Sequence, residues 1–201
     1  MAETLEEFYV EIKDCQKCML HRTRTNLVFG VGSEQADLMF VGEAPGFHED
    51  QQGEPFVGAA GQLLDKLLSS INLSRRQVYI ANVLKCRPPE NRDPLPEEVE
   101  VCKPHLFKQI EIIKPLFVCT LGRHAAQLIL DRNISMSKVH GQRFDGDGFC
   151  IFPIHHPAAA LYARTTLTTL EEDFAKLDQL LKAGLEVPLQ ECKQPHQMGL
   201  F

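Results

Sequence analysis

Two hydrophobic patterns alternate along the chain. Short apolar runs at residues 37–42, 78–83, 116–121 and 149–154 predict buried strands. Apolar positions spaced three or four residues apart predict helices at residues 61–68, 97–114, 123–130 and 168–183. Strands that alternate with helices over such lengths predict an α/β fold, a three-layer α/β/α sandwich with a central, mostly parallel four-stranded sheet.

Local signals set the limits of several elements. Thr4 and Glu7 have the spacing of a capping box and predict a helix beginning near Thr4. Prolines make residues 87–96 a loop, and Pro104 is expected to kink or break the helix in which it lies. Residues 185–201 are polar and contain prolines. We therefore expect one domain over residues 1–184 and a flexible tail over residues 185–201.

Composition excludes several classes of protein. The chain has 201 residues, of which 44% are hydrophobic and 24% charged, as in an ordinary folded domain. Its apolar runs are far shorter than the ~20 residues that span a bilayer. The acidic N-terminal residues lack an apolar signal core, so a cytoplasmic protein is expected. A net charge of −6 argues against coating nucleic acid by charge alone, although a local basic patch could still bind it.

Three polar or glycine-rich segments follow predicted strands: residues 42–46, Asn82 and residues 155–157. Ligands bind beyond the carboxyl ends of parallel strands, so these segments are expected to form one crevice. The Asn82 amide can donate and accept at once, which suits an amide or imide edge. Taken singly, the glycine loop could be a plain turn, and Phe56 between glycines could be a core residue.

Four of the seven cysteines form two pairs, Cys15 with Cys18 and Cys86 with Cys102. An odd number of cysteines does not suit a disulfide framework. Four thiolates would hold zinc or an iron–sulfur cluster, and the wide second spacing favours the larger cluster. The alternative is four unrelated buried cysteines. Cys119 and Cys150 lie within predicted strands and are expected in the core.

Basic residues accompany both cysteine pairs. Gathered by a metal centre, they would make a local basic surface; the alternative is a solvated face without a partner. They are Lys13, Lys17, His21, Arg22 and Arg24 near the first pair and Lys85, Arg87 and Arg92 near the second.

These motifs, in this order, closely resemble the family-four uracil-DNA glycosylases, the iron–sulfur members of the uracil-DNA glycosylase superfamily. The resemblance extends from Cys15 to about Leu180. The matching motifs are Cys-x2-Cys at Cys15, Gly-Glu-Ala-Pro-Gly at Gly42, Gly-Glu-Pro-Phe-Val-Gly at Gly53, Asn-Val-x-Lys-Cys-Arg-Pro-Pro at Asn82, Asn-Arg-Asp-Pro at Asn91, Cys102, and His-Pro at His156.

The resemblance implies a 4Fe–4S cluster on Cys15, Cys18, Cys86 and Cys102. It also implies a flipped uracil bound by the backbone of Gly42, Glu43 and Ala44, stacked on Phe56 and read by Asn82. His156 would stabilise charge on the uracil O2 as the glycosidic bond is hydrolysed. The residues expected at the DNA are Pro157, Leu161 and Arg164, with Leu161 or Tyr162 as the wedge.

The residue that orients water is less directly indicated. The best-known branch of the superfamily has an aspartate where this chain has Ala44, so that base is missing. Glu43 is favoured in its place, Glu49 is the other candidate, and Asn91 is expected to support Glu49 by a hydrogen bond. The chain lacks the extra basic loop of a branch that is trapped covalently on DNA, which predicts turnover without an adduct.

Two further expectations concern partners and the alternative function. Gln197, Leu200 and Phe201 resemble the short peptide with which bacterial repair proteins bind the replicative sliding clamp, and a frayed terminus is the alternative. A monomer is expected by default. The runner-up function is a non-catalytic iron–sulfur protein that binds uracil-containing DNA, because a fold does not guarantee turnover.

Overall fold

The computed structural model describes residues 4–184. Strands and helices alternate in this part of the chain. The strands are β1 (Val31–Gly32), β2 (Leu38–Gly42), β3 (Tyr79–Asn82), β4 (Phe117–Leu121), β5 (Phe144–Asp145) and β6 (Cys150–Ile154). The helices are α1 (Leu5–Ile12), α2 (Phe47–Gln52), α3 (Ala59–Ser70), α4 (Pro96–Ile113), α5 (Arg123–Leu130), α6 (Met136–Val139), α7 (Pro157–Ala160) and α8 (Arg164–Gly184).

The strands form one six-stranded sheet in the order β1-β3-β2-β4-β6-β5. The four central strands are parallel, and β1 and β5 pair antiparallel at the two edges. The α/β fold class is confirmed, but the predicted number of four strands is wrong. Each missed strand has only two residues, which is too short to show a hydrophobic period.

Each face of the sheet is covered by its own apolar cluster. On one face, α1, α4 and α5 pack against β-strand side chains that include Met39, Val41 and Val118. On the other, α3 and α8 pack against side chains that include Phe40, Cys119 and Phe152. Alternate residues of a strand point to opposite faces, so the buried strands supply both clusters. This arrangement is the predicted three-layer sandwich, with Cys119 in its core as expected.

Two local predictions can be compared with the helices. The Thr4 hydroxyl accepts from the Glu7 N–H, and the Glu7 carboxylate accepts from the Thr4 N–H, which confirms the capping box. Helix α4 continues through Pro104, so of the predicted kink or break, the break is wrong. Among residues 4–184, no helix is both long and apolar enough to cross a membrane. The tail residues Gln197, Leu200 and Phe201 lie outside the described part.

Candidate active site and cysteine cluster

Gly42 and Asn82 end neighbouring strands and are directly paired in the sheet register. A Cβ atom at Gly42 would overlap the Asn82 Oδ1 atom and come within 2.6 Å of the Phe56 Cζ atom. The Asn82 amide and the Phe56 ring therefore meet over the bare backbone of Gly42, at the carboxyl edge where a ligand crevice was predicted.

The Asn82 side chain is buried, and its oxygen atom has no hydrogen-bond partner within the described part of the protein. Asn82 is only 2% exposed, and its Oδ1 atom is buried without a hydrogen bond. Its main-chain carbonyl accepts a hydrogen bond of 2.8 Å from the Lys85 Nζ atom, which also donates to Gln109. An orphaned acceptor of this kind costs about 1–3 kcal/mol, a cost that an N–H donor on a bound ligand would relieve.

The Phe56 ring lies in its position because its backbone is clamped. Phe56 has a left-handed φ of 55°, which is uncommon for a residue with a bulky side chain. The Arg75 guanidinium donates to the carbonyl oxygens of Pro55 and Phe56, and its Nε atom lies 2.5 Å from Asp65. Gly61 has no side chain that would block the Phe56 carbonyl. Arg75 is thus a positioning residue for Phe56.

His156 completes this side of the crevice. Its ring stacks on Phe56, with centroids 5.6 Å apart and planes at 28°. Its Nδ1 atom accepts a 3.1 Å hydrogen bond from the Ala158 N–H at the start of α7. Burial lowers the pKa of His156 to about 4, although the Glu49 carboxylate opposes the shift. A neutral ring that accepts at Nδ1 carries its proton on Nε2, where it can serve as a donor.

The two acidic candidates have different surroundings. The Glu49 Oε1 atom accepts from the N–H groups of Val57 and Gly58, and thereby braces the loop after Phe56. The Glu43 Oε1 atom lies 3.1 Å from the His124 Nδ1 atom. Burial raises the pKa of Glu43, and the neighbouring His124 opposes that shift. Both carboxylates lie at the carboxyl edge of the sheet.

The loop that contains Ala44 is anchored through its carbonyl groups. The carbonyl oxygens of Gly42 and Glu43 accept from the N–H groups of Val83 and Leu84 at 2.9 and 3.0 Å. Ala44 itself is partly exposed. The loop therefore continues the β2–β3 pairing beyond the strands.

Asn91 differs from its expected role. Its Oδ1 atom accepts a 2.7 Å hydrogen bond from the Arg87 Nε atom, whereas Glu49 is held by backbone N–H groups. The predicted hydrogen bond between Asn91 and Glu49 is replaced by these contacts. Asn91 and its neighbour Glu90 both have a left-handed backbone, with φ of 55° and 56°.

The four paired cysteines line one cavity of about 10 Å³, together with Arg24, Lys85 and His105. The Cys86 Sγ atom accepts a hydrogen bond from Arg24 at 3.2 Å, and the Cys102 Sγ atom accepts one from the Lys85 N–H at 3.3 Å. Burial raises the pKa of the Cys102 thiol to about 11. Within residues 4–184, however, no group of three or more histidine, cysteine or acidic side chains is arranged to hold a metal ion.

The basic residues near the cysteines divide into two sets. Lys85 is buried, so its expected place on a basic surface is wrong. Arg24 points inward to the Cys15 carbonyl and Cys86, and Arg92 pairs with Glu98 at 2.6 Å. Of these three side chains only Arg24 donates to a cysteine sulfur atom, whereas the Lys85 amine donates to Gln109 and to the Asn82 carbonyl. Lys13, Lys17 and Arg22 remain exposed.

The segment after His156 begins with the buried Pro157 and continues as α7. Leu161 and Tyr162 follow, 40% and 93% exposed, and Arg164 is exposed at the start of α8. The three predicted DNA-contacting residues thus lie on one short stretch beside the crevice, although Pro157 is covered.

Sequence reasoning missed two residues that shape the site, Arg75 and His124. His124 lies in the first turn of α5, directly after β4, so the rule that strand ends converge could have found it. Arg75 precedes β3 at the opposite end of that strand and reaches Phe56 only through the packing of α3, for which the sequence carries no signal.

Comparison with known proteins identifies the family of this chain. The family model described as "Uracil DNA glycosylase superfamily" matches residues 29–182. The chain is 50% identical over 186 residues to the type-4 uracil-DNA glycosylase of Archaeoglobus fulgidus, covering 89% of this chain and 94% of that protein.

Two further relatives have the same name. The protein of Sulfurisphaera tokodaii is 46% identical over 187 residues, covering 89% of this chain and 85% of its own length. That of Saccharolobus solfataricus is 46% identical over 182 residues, covering 86% and 84%. These matches confirm the resemblance noted in the sequence. The chain belongs to the uracil-DNA glycosylase superfamily.

Proposed function

We propose that the protein is a uracil-DNA glycosylase, which takes uracil out of the DNA stack and hydrolyses its N-glycosidic bond. The observation that carries this proposal is the buried, unpartnered Asn82 Oδ1 atom between Gly42 and the Phe56 ring. An enzyme that acts on a base needs an aromatic-lined pocket and a reader for the base edge. The names of the relatives, at 46–50% identity, support the same activity.

The Asn82 side-chain amide recognises uracil through its oxygen and nitrogen atoms. The Asn82 Oδ1 atom accepts from the uracil N3–H, and its amide nitrogen donates to O4. Cytosine presents an acceptor at N3 and a donor at C4, so both pairs would be mismatched. Each buried group left unpaired costs about 1–3 kcal/mol, which is enough to reject cytosine. Phe56 stacks on the base and limits the room at its C5 edge.

In the reaction, the bond between the sugar C1′ and the uracil N1 breaks, and its electron pair leaves with the base. Water adds to C1′ and gives up a proton, which balances the charge on the uracil anion. The Nε2–H of neutral His156 is directed to O2, where the negative charge develops. One such pre-organised donor contributes about 3–4 kcal/mol to the transition state.

Glu43 and Glu49 are the candidates for orienting the water and stabilising the cation-like sugar. Glu49 is supported by its electrostatic interaction with His156, since its carboxylate opposes the lowering of the His156 pKa by burial. Glu43 is supported by its place in the base-binding loop and by His124 beside it. Replacing each in turn with glutamine distinguishes them, because the residue that orients water lowers kcat more than KM.

We propose that Cys15, Cys18, Cys86 and Cys102 hold a 4Fe–4S cluster. All four cysteines line one cavity, and the wide spacing between Cys86 and Cys102 suits a cluster better than the two tight turns of a structural zinc site. N–H groups directed at Cys86 and Cys102 favour sulfur atoms that carry negative charge. When bound, the cluster would supply a structural link between the N-terminal segment and the proline loop.

A simple measurement tests the cluster. The purified protein is expected to be brown, with absorption in the blue and about four irons per chain. A colourless protein with one zinc per chain would contradict the proposal. Cys119→Ser, which changes a cysteine of the sheet core, is the control for loss of colour in Cys86→Ser.

The substrate is uracil-containing DNA, and the stretch from Pro157 to Arg164 is proposed to contact it. Leu161 is exposed and apolar, as a wedge between bases must be, and Arg164 can pair with a phosphate. Tyr162 is the alternative wedge. The wedge is the residue whose change to alanine lowers activity on duplex DNA more than on single strands.

The last residues are proposed to bind the sliding clamp through Gln197, Leu200 and Phe201. What supports this is their sequence pattern alone, since they lie outside the described residues. Full-length protein should retain the clamp in a pull-down, and a chain cut after Gln194 should not. Equal retention by both would contradict the proposal.

One assay tests the proposed function. The protein is incubated with a uracil-containing oligonucleotide, and the abasic sites are cleaved with alkali. We expect a product band, greatly weakened in Asn82→Ala and His156→Ala, with multiple turnovers and no covalent adduct on a denaturing gel. Binding without cleavage at protein excess would instead support a non-catalytic uracil-DNA-binding protein.

A further inference from the structure

Phe47 is an apolar side chain that neither the core nor the base pocket uses. It is the first residue of α2, whose other residues are polar, and it is 50% exposed. A single exposed apolar side chain is ordinary in itself. Phe47 is of interest because it directly follows the loop after β2 and has a guanidinium over its ring.

The Phe47 ring is held in a fixed orientation. The Arg87 guanidinium lies over it at 5.1 Å from the ring centroid, and the His48 ring meets its edge at 5.5 Å. Arg87 is fixed in turn by its 2.7 Å hydrogen bond to Asn91. A ring and a guanidinium ordered beforehand lose little conformational entropy when a ligand binds.

The sheet order places this pair at one side of the base pocket. Phe47 directly follows the Gly42–Gly46 loop after β2, and Arg87 follows the β3 end that carries Asn82. The segment with Leu161 follows β6, which is separated from β2 by β4. A DNA strand with its uracil in the pocket would therefore meet Leu161 on one side and Phe47 on the other.

We propose that Phe47 and Arg87 form a stacking platform for an unstacked base next to the flipped uracil in the same strand. The inference rests on the proposed function and assigns it a second subsite. Aromatic rings and guanidinium planes are the groups on which proteins stack single-stranded bases, and the contact tolerates any base because every base has a π-face. Arg87 adds a positive charge that suits the phosphate backbone.

The test compares variants on matched substrates. Single-stranded oligonucleotides carry one uracil, with either a normal neighbour or a tetrahydrofuran residue, which lacks a base, on its 5′ or its 3′ side. The proteins are wild type, Phe47→Ala, Phe47→Trp and the control Met19→Ala, which changes a residue that is also exposed, at 61%.

Phe47→Ala should lower kcat/KM about tenfold on the normal oligonucleotide, mainly through KM, as expected for one lost stack. Phe47→Trp and Met19→Ala should stay near wild type. On the oligonucleotide that lacks the stacked base, kcat/KM of the wild type should be lower by the same factor. The kcat/KM of Phe47→Ala should be the same on this oligonucleotide as on the normal one. The proposal is overturned if Phe47→Ala lowers kcat/KM by the same factor on all the oligonucleotides, or lowers it on none of them.

Failure of the proposed function has a different signature, since wild type would then release no uracil from any oligonucleotide. In that case the fluorescence anisotropy of the same labelled oligonucleotides tests the platform. Weaker binding by Phe47→Ala, only where the neighbouring base is present, supports it, and unchanged binding contradicts it.

Discussion

The Ala158 N–H donates to the Nδ1 atom of His156, and this one contact determines which nitrogen of the ring carries the proton. With Nδ1 used as an acceptor, the neutral ring presents Nε2–H to the crevice. The same contact caps α7, so the local fold and the position of the donor depend on each other.

His156→Asn separates these two roles. Asparagine is a good N-cap and can still accept from Ala158, but it is too short to place a donor where Nε2 lies. We expect kcat/KM for uracil release to fall about 10²–10³-fold, the cost of one oxyanion donor, at an unchanged urea midpoint. His155→Asn is the control and should remain near wild type. A His156→Asn enzyme within fivefold of wild type would refute the assigned role.

Burial of His156 also predicts a pH dependence of stability. Its folded pKa of about 4 lies below the ordinary value of 6.5, so between these values the unfolded chain binds more protons. The free energy of unfolding should therefore fall as the pH drops through this window. Above pH 6.5, this histidine should cause no further increase. Near pH 5 this amounts to about 2 kcal/mol.

Urea denaturation near pH 7 and pH 5 measures the effect. His156→Asn lacks this titration and should lose about 2 kcal/mol less than wild type on acidification. Buried His105, whose pKa is also lowered to about 4, is present in both proteins, so its contribution cancels. Equal losses in both proteins would show that His156 does not titrate in this way.

Asn82→Leu should stabilise the protein and abolish its activity. Leucine is close to asparagine in shape and removes the unpartnered Oδ1 atom, so we expect about 1 kcal/mol more stability and no measurable uracil release. Thr120→Val is a matched control, because the Thr120 hydroxyl is likewise buried without a partner. It should stabilise similarly and leave activity unchanged. Activity retained in Asn82→Leu would rule out the base-reading role.

Arg75→Met should loosen Phe56 and raise KM, lowering kcat/KM about tenfold, because holding a left-handed backbone costs about 1–3 kcal/mol. The measurement is a double-mutant cycle with Phe56→Leu. If Arg75 acts through the Phe56 ring, its removal costs much less once the ring is gone. If the fold losses of kcat/KM in the two single variants multiply in the double variant, Arg75 stabilises the fold independently of Phe56.

The sequence predicted the parts of this site that depend on local pattern. Asn82 and His156 follow buried apolar runs, and the carboxyl ends of parallel strands have to meet, so their convergence was foreseeable. The direction of the Arg75 side chain was not, because it depends on packing between α3 and the loop at Phe56. Lys85 looked like a surface cation for the same reason, although its amine bonds Asn82 and Gln109 inside the protein.

The bare backbone at Gly42 limits how the base preference of this enzyme could be redesigned. Glycine has no side chain that could be shortened, so no substitution at Gly42 can make room for a larger base. Extra volume has to come from the aromatic wall at Phe56 or from spreading β2 and β3, which their ladder of hydrogen bonds opposes. Engineering toward bulkier lesions should therefore begin with smaller side chains at Phe56.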